Sequence, residues 1–390
     1  MENNINAMIS ISEKSNKKTI CFATMCKNEE HCIRDTLESV YKYIDTWVVH
    51  DTGSTDNTCK IVEDFFKEKN IPGELFIGEW VGFDYNKTQM FNKCYNRSDY
   101  ILHLDADDIF HGEPDFSLIE NHDAYYFNCL RGSFYNVLLL FNNRHHWKFC
   151  GVAHTTIKNL DNPHYSTSNK MVSNDFYQLS RDTGSRSYDP DKYLKDANRL
   201  KDQFFKCLYA DEDDLLTRSA FYTAQSYMDS SNFNEAIQWY TLYINLKNTW
   251  VEEVFESHIR ITKCLITLGE SFNRIKYHVD TAINIFKDRS EPYLLFGKYC
   301  NSLEKWEMGY SYLIKTVDLS YEDAKSKYSL FVSRNSYEPY NLDELSVSCW
   351  WTKKYEEGLK YLLQIKESPL MQHDIDRIKE NESLFNSNIN

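Results

Sequence analysis

The sequence predicts an α/β domain with a mostly parallel sheet, followed by an all-helical repeat domain. Up to about residue 160, short apolar runs alternate with segments of helical periodicity, which is the pattern of strands joined by crossover helices. From about residue 215 the periodicity is purely helical, and a pattern of small and large residues recurs. A chain of 390 residues, 42% of them hydrophobic, is long enough to form two such domains.

The elements of the first domain can be followed in chain order. Strands are predicted at the apolar runs Thr19–Cys26, Thr46–Asp51, Gly73–Glu79 and Asp99–Asp105. Helices are predicted at Glu29–Ile44, Ser54–Asn70 and Tyr85–Arg97, and a later one at Lys192–Lys206. This alternation favours a sheet with helices on both faces, and such sheets bind ligands outside the carboxyl ends of their strands.

The second domain contains a small–large–small–large pattern at constant offsets. The three copies are Ala224, Tyr227, Ala236 and Tyr240; Gly297, Cys300, Gly309 and Leu313; and Ser346, Cys349, Gly358 and Leu362. Small residues allow two helices to approach closely, as in tetratricopeptide helix pairs. A generic helical domain is the alternative, but three copies favour the repeat. We expect an α/β domain over 18–160, a polar connector with a linking helix over 161–210, and the helical domain over 211–386.

Composition limits the class of protein. The net charge of −14 argues against a broad nucleic-acid surface. The 11 cysteines contain no C-x-x-C pair, which favours reduced thiols. No apolar run has the length of a signal-peptide core or a membrane span. These features predict a soluble protein of the cytoplasm.

Carboxylates follow the fourth predicted strand. Residues two apart in an extended segment point the same way, so Asp105 and Asp107 are expected to converge on one hard cation, Mg²⁺ or Mn²⁺. Such an ion neutralises a leaving group that gains charge. Asp108 would point the other way. The alternative is an exposed acidic turn.

Two other residues favour a binding site. Asp51 ends the second strand, where it would accept hydrogen bonds from a nucleobase or ribose, while Gly53 allows a tight turn. A helix cap is the alternative, and it leaves Asp51 unexplained. His154 follows a small-residue strand and would offer a neutral imidazole to a metal, although a single histidine is usually packed or solvated.

Taken in order, five motifs resemble the family 2 glycosyltransferases of GT-A fold, within them a subgroup with C-terminal tetratricopeptide repeats. They are CKNEE (Cys26–Glu30), VVHDTGSTDNT (Val48–Thr58), W-x-x-F-x-x-N-K-T (Trp80–Thr88), ILHLDADD (Ile101–Asp108) and GVAH (Gly151–His154). The segments DPDKYLKDANRL, RSAFYTAQSYMD and NLDELSVSCWWTKKYEEGL also resemble that subgroup, so the resemblance covers nearly the whole chain.

The resemblance implies a nucleotide-sugar donor, with UDP as the expected nucleotide, and a divalent metal. The implied donor-binding residues are Thr24, Glu29, Asp51, Lys87 and Asp105, and the implied metal ligands are Asp105, Asp107 and His154. Lys87 stands where many members have arginine, so it keeps the positive charge near the diphosphate but loses the fork geometry. Arg186 and Lys192 lie in the polar connector, which would close over the donor as a lid.

One position departs from the family pattern. Many relatives have a glutamate after the histidine of the last motif, whereas this chain has Thr155. Asp182 is one candidate for the catalytic base that this leaves unassigned. The chain has no Q-x-x-R-W motif, which argues against a processive synthase.

The expected reaction is metal-dependent and inverting transfer to a hydroxyl of a glycan, protein or small-molecule acceptor, and the repeats could bind a protein partner. One alternative is an interaction protein whose transferase domain has lost activity. A metal-dependent nucleotidyltransferase ranks last, because no glycine-rich basic loop follows the first strand.

Overall fold

The computed structural model describes residues 18–173, 175–210 and 215–389. The chain forms two compact units, an N-terminal unit up to Lys192 and a C-terminal unit from Tyr193. Among the described residues, no helix combines the length and the apolar composition that crossing a bilayer would require.

The N-terminal unit is an α/β domain, as predicted. Its strands are β1 (Ile20–Cys26), β2 (Thr46–Asp51), β3 (Gly73–Ile77), β4 (Tyr100–His103), β5 (Ile109–His111), β6 (Ala124–Arg131), β7 (Ser133–Asn142), β8 (Trp147–Cys150), β9 (Thr156–Asn159), β10 (Thr167–Ser168) and β11 (Tyr177–Leu179). Its α-helices are α1 (Ile33–Val40), α2 (Thr58–Lys69) and α3 (Phe83–Cys94).

The order of the strands changes direction beside β1. A nine-stranded sheet has the order β3-β2-β1-β4-β7-β6-β11-β5, with β10 paired to β6, and β8 and β9 form a separate hairpin. The first four strands are parallel. The chain builds outward from β1 to β3 and then crosses to the other side of β1 with β4. Ligands of open α/β sheets bind at such a switch point, outside the carboxyl ends of the strands.

Both faces of the parallel strands are buried because side chains alternate along them. On β1, Ile20 and Phe22 pack into a core that also contains Leu37 of α1 and Phe65 of α2. Their neighbours Cys21 and Ala23 pack on the opposite face, in a core that contains Met90 and Phe91 of α3. This two-sided burial fixes the strand ends that carry the polar site.

The predicted connector over 161–210 is divided in the structure. Residues up to Lys192 belong to the N-terminal unit. There β10 pairs with the start of β6, and β11 lies between β6 and β5. These pairings join distant parts of the chain, so the turn-rich local sequence does not reveal them.

The C-terminal unit is helical, as predicted. Beginning with the linking helix, its α-helices are α4 (Lys192–Ala210), α5 (Leu216–Asp229), α6 (Phe233–Ile244), α7 (Val251–Thr267), α8 (Phe272–Ile285), α9 (Glu291–Ser302), α10 (Trp306–Leu313), α11 (Tyr321–Lys327), α12 (Tyr340–Trp351), α13 (Tyr355–Lys366) and α14 (Ile375–Ile389). Successive helices pack as pairs, and Gly297 and Gly358 of the repeat lie close to side chains of the paired helix. A Cβ atom added to Gly297 of α9 would lie 2.3 Å from Leu313 Cγ of α10.

Gly297→Ala is therefore expected to destabilise the C-terminal unit by about 1 kcal/mol. Overpacking costs about 1–3 kcal/mol, and the higher helix propensity of alanine returns about 1 kcal/mol of that cost. Urea unfolding of the full chain measures the change. In a Leu313→Ala background the same substitution should be neutral or stabilising, because the clashing atoms are gone. Equal destabilisation in both backgrounds would contradict the close helix contact.

Candidate functional site

The acidic segment after β4 is a turn, which corrects the extended geometry expected from the sequence. β4 ends at His103, and the Asp108 N–H donates to the Asp105 carbonyl oxygen over 3.1 Å. Asp105 and Asp107 are therefore not held on one face by strand geometry. Each carboxylate is oriented by a different partner.

Asp105 forms an ion pair with Lys87 at the switch point. Lys87 Nζ lies 2.8 Å from Asp105 Oδ1, and the Asp105 side chain is 59% exposed. The ammonium of Lys87 lowers the pKa of this carboxyl to about 2, so it is ionised at neutral pH. Below it, His103 is buried and its Nδ1 lies 2.9 Å from the Ala23 carbonyl oxygen. Burial and the Lys87 charge lower the pKa of His103 to about 4, so this imidazole is neutral.

Asp107 and Asp108 are held by a later segment of the chain. The Gly184 N–H donates to Asp107 Oδ2 over 2.8 Å, and burial raises the pKa of Asp107, with a further rise from the charge of Asp105. Asp108 is buried, where its carboxylate accepts from the Gln178 amide and, over 3.2 Å, from the Arg181 N–H. Burial raises the pKa of Asp108 to about 7. Asp108 thus serves the fold of the turn.

Lys87 is positioned by the motif around it. The side-chain oxygen of buried Asn86 accepts the Val81 and Gly82 N–H groups over 2.9 and 3.0 Å, and its amide donates to the Glu79 carbonyl oxygen over 2.8 Å. The Thr88 hydroxyl accepts the Phe149 N–H over 2.9 Å. The start of α3 is therefore fixed against its preceding loop and against β8.

Two of the implied donor-binding residues are Thr24, near the carboxyl end of β1, and Glu29, just after that strand. Thr24 is fully buried, and its hydroxyl oxygen has no hydrogen-bond partner within the described residues. Glu29 accepts from the Ser185 N–H over 3.0 Å and from the Ser185 hydroxyl over 3.1 Å, and burial raises its pKa. Among the described residues, the buried Thr24 hydroxyl lacks a hydrogen-bond partner, whereas Glu29 already has partners.

Asp51 supports its own turn. Its side chain is 1% exposed, and Oδ1 accepts the Gly53 and Ser54 N–H groups over 2.9 and 2.8 Å. Burial would raise the pKa of Asp51, but hydrogen bonds from Ser54, Gly53 and Cys59 lower it below its ordinary value. Gly53 has φ +102°, which permits the tight turn. Asp51 therefore stabilises the loop at the end of β2. Its carboxylate is almost completely buried.

Sequence reasoning did not identify how the segment 181–185 contacts the site. Arg181 Nε donates to the Asp107 carbonyl oxygen over 2.6 Å, and its Nη1 lies 2.9 Å from Asp35 Oδ2. The Thr183 carbonyl oxygen lies 2.6 Å from His31 Nε2. The sequence contains no local signal for these contacts, because the partners are separated by more than 70 positions. A polar, glycine-containing segment was the only clue.

Four predicted site residues remain, namely Asp182, Arg186, Lys192 and His154. Asp182 is exposed and pairs with Arg131. The Arg186 guanidinium lies 5.1 Å from the centre of the Phe83 ring. Lys192 begins α4. His154 follows β8 with an exposed side chain and φ +48°.

The N-terminal unit also matches a known family. Residues 21–179 match the family model described as Glycosyl transferase family 2. This unit is a family 2 glycosyltransferase domain. The match spans β1 to β11, and so includes the acidic turn, the α3 motif and the GVAH motif.

Solved structures give weaker likenesses. A mannosyltransferase from Pyrobaculum calidifontis, in complex with GDP-Man and Mn²⁺, has 13% identity and a TM-score of 0.34 over 59% of this chain and 75% of its own. S. aureus TarS 1-349, in complex with UDP-GlcNAc, has 13% identity and a TM-score of 0.34 over 69% and 90%. MamA has 14% identity and a TM-score of 0.33 over 50% and 94%. These TM-scores are too low to support an argument. Comparison with curated proteins found no match.

The donor set of the glycosyltransferase domain fits a divalent cation. Asp105 offers an ionised and exposed carboxylate. Burial raises the pKa of Asp107, and the charge of Asp105 raises it further, a repulsion that a cation would relieve. Carboxylate oxygens are ligands of Mg²⁺ and Mn²⁺. In this structure Lys87 and the Gly184 N–H occupy these oxygens. Among the described residues, Asp105, Asp107 and His154 do not form a group with ligand atoms within 4.8 Å of one another.

Another group in the glycosyltransferase domain does meet that distance. Glu29, His31 and Cys32 have ligand atoms within 4.8 Å of one another. Cys32 Sγ donates to Glu29 Oε2 over 3.2 Å, and burial raises the pKa of this thiol well above its ordinary value. A protonated thiol is a poor metal ligand. The group therefore supports the segment 181–185 through hydrogen bonds.

Proposed function

We propose that this chain is a metal-dependent glycosyltransferase that moves a sugar from a UDP-sugar to a hydroxyl acceptor, with inversion and without processivity. One observation carries the proposal. Within a family 2 domain, an ionised carboxylate and an ammonium, Asp105 and Lys87, meet at the switch point of a parallel sheet. A diphosphate and its cation need that pair of charges. We also propose a reducing, cytoplasmic compartment, which accords with the 11 free thiols.

The donor would lie along the carboxyl ends of β1 and β2. We assign the nucleoside to the region of Thr24, whose buried hydroxyl has no partner among the described residues, and of Glu29. Asp51 would contribute to nucleobase binding through the turn that it supports. Asp105, Asp107 and His154 would hold a Mn²⁺ or Mg²⁺ ion, which neutralises charge on the leaving diphosphate when bound. Lys87 would contact the diphosphate, and Arg186 and Lys192 would close over it.

The acceptor hydroxyl must lose a proton as it attacks the anomeric carbon. We retain Asp182 as the base, because its carboxylate is exposed and lies in the segment that also holds Asp107. Arg131 orients it through a hydrogen bond to one oxygen. Asp182 would receive the proton, and the departing diphosphate would be stabilised by Lys87.

Asp182→Asn is expected to lower transfer by about 10²–10⁴-fold, because a positioned general base contributes about that much. Donor binding should not change, since an asparagine keeps the shape of the side chain. Initial transfer rates and UDP affinity, measured together, test this. Asp191→Asn is the matched control, a neighbouring exposed acid outside the site. A variant as active as wild type would remove Asp182 from the reaction.

A screen of UDP- and GDP-sugars for donor hydrolysis with Mn²⁺ tests the function as a whole. Release of nucleoside diphosphate from at least one donor supports it, and UDP-sugars should react best. Thr155 is the observation that favours the alternative, an inactive domain in an interaction protein. Calorimetry with UDP and Mn²⁺ separates the two, because absence of both hydrolysis and binding would favour the alternative. The helical repeats would then be the functional surface for a protein partner.

A further inference from the structure

Lys87 and Asp105 are exposed to very different degrees. The carboxylate of Asp105 is 59% exposed, whereas the side chain of Lys87 is only 12% exposed. The ammonium lies 5.8 Å from the centre of the Phe149 ring, on the protein side of the pair. Lys87 therefore contacts the carboxylate from its less exposed side, at Oδ1.

The backbone on both sides of Lys87 is anchored. Its helix is held by Asn86 to the preceding loop and by Thr88 to β8, through the hydrogen bonds described above. A lysine stem has four rotatable carbons and three donors at its end. The ammonium can thus leave Asp105 for a nearby anion while the backbone stays in place.

A cation and the Lys87 ammonium compete for the same carboxylate. Both bind the Asp105 carboxylate, where Lys87 Nζ lies 2.8 Å from Oδ1, and a divalent ion beside an ammonium is repelled by it. His103, with Nε2 at 3.8 Å from that oxygen, is neutral and does not change this balance. The charge of Arg131 is engaged with Asp182. The repulsion disappears when a diphosphate offers the ammonium another partner.

We propose that Lys87 is an internal counter-ion that occupies the metal site in the absence of nucleotide, and that a nucleoside diphosphate draws it away from Asp105. This inference rests on the proposed function. It makes cation and nucleotide binding cooperative through one side chain, and the coupling must be reciprocal. Removing the ammonium should strengthen cation binding in the absence of nucleotide and weaken the coupling.

The experiment measures Mn²⁺ binding to the full chain by electron paramagnetic resonance and by calorimetry, with and without saturating UDP, and with GDP as a second nucleotide. The variants are Lys87→Met and Lys87→Gln. Lys93→Met is the matched control, because it removes the same charge from the same helix, and Lys93 pairs with Glu74, 3.9 Å away. Thermal unfolding identifies the variants that fold. Two substitutions at position 87 are used so that the test stands if one of the variants does not fold.

We expect both Lys87 variants to bind Mn²⁺ alone roughly three- to tenfold more tightly than wild type and the Lys93 variant. The strengthening of Mn²⁺ binding by UDP should fall by a similar factor. If Lys87 variants that bind Mn²⁺ with UDP bind it without UDP no more tightly than wild type, the counter-ion role is overturned while the proposed function stands. If wild type and variants fail to bind Mn²⁺ even with either nucleotide, the metal-dependent function is overturned as well.

Discussion

Asp105→Asn is expected to lower sugar transfer by at least about 10²-fold and to leave the fold intact. A preorganised charge at a reacting group is typically worth about 10²–10³-fold in rate. Because the Asp105 side chain is 59% exposed and asparagine has the same shape, we expect the free energy of unfolding to change by less than about 1 kcal/mol. Transfer rates at saturating Mn²⁺ and urea unfolding curves measure the two quantities.

The matched control is Asp64→Asn, an exposed acid on α2 that pairs with Lys60 in the same way. It should retain wild-type activity. Asp107→Ala is a less direct test, because it also removes the acceptor of the Gly184 N–H. Wild-type transfer by the Asp105 variant would remove this residue from the proposed metal and diphosphate site.

Acidification from pH 6.5 to 4 is expected to destabilise the C-terminal unit through two histidines. His258 Nδ1 on α7 lies 2.9 Å from His278 Nδ1 on α8, a distance that requires one nitrogen to donate and the other to accept. Burial lowers the pKa of both side chains to about 4, helped for His278 by the charge of Arg274. Double protonation would place two N–H donors and two positive charges face to face.

The direction in which pH changes the free energy of unfolding follows from proton linkage. An unfolded histidine has a pKa of about 6.5, so between pH 6.5 and 4 the unfolded chain binds protons that the folded chain does not. This contribution is fully present above pH 6.5 and is lost as pH falls toward 4. For His258, which is 5% exposed, the difference between a pKa of about 6.5 in the unfolded chain and about 4 in the folded chain corresponds to about 3 kcal/mol.

Urea unfolding of the full chain at pH 7.5, 6.5, 5.5 and 4.5 measures this loss. The combined variant His258→Gln and His278→Gln should show a shallower loss over that range, since glutamine does not titrate. Carboxylates titrate in both proteins, so the difference between the two slopes is the relevant quantity. Parallel slopes would show that the histidine pair does not control acid stability.

Much of the fold could be predicted because its signals are local. The strand predicted at Thr46–Asp51 is β2 with the same bounds, and the helix predicted at Ser54–Asn70 is α2, Thr58–Lys69. The first residues of that helix prediction instead form the turn around Gly53, which Asp51 supports. Hydrophobic periodicity reports which face of an element is buried, but it does not locate the element's ends well.

The site could be predicted only in part. Motif order selected Lys87, Asp105 and Asp107, and the structure joins Lys87 directly to Asp105. The expectation that Asp105 and Asp107 share a face depended on an extended backbone, and the turn at Asp105–Asp108 removes that basis. His154 stays a prediction as a metal ligand.

By itself, the sequence determined the α/β and helical units, the parallel strands and the residue types at their carboxyl ends. Apolar spacing, turn residues and motif order depend on near neighbours in the chain. Only the tertiary structure decided which charges are paired, which carboxylate is buried and which segment covers the site. Ser185 reaches Glu29 across 156 positions, and Gln178 reaches Asp108 across 70. Hydrogen bonds over such separations are formed by chain topology, and no local pattern records them.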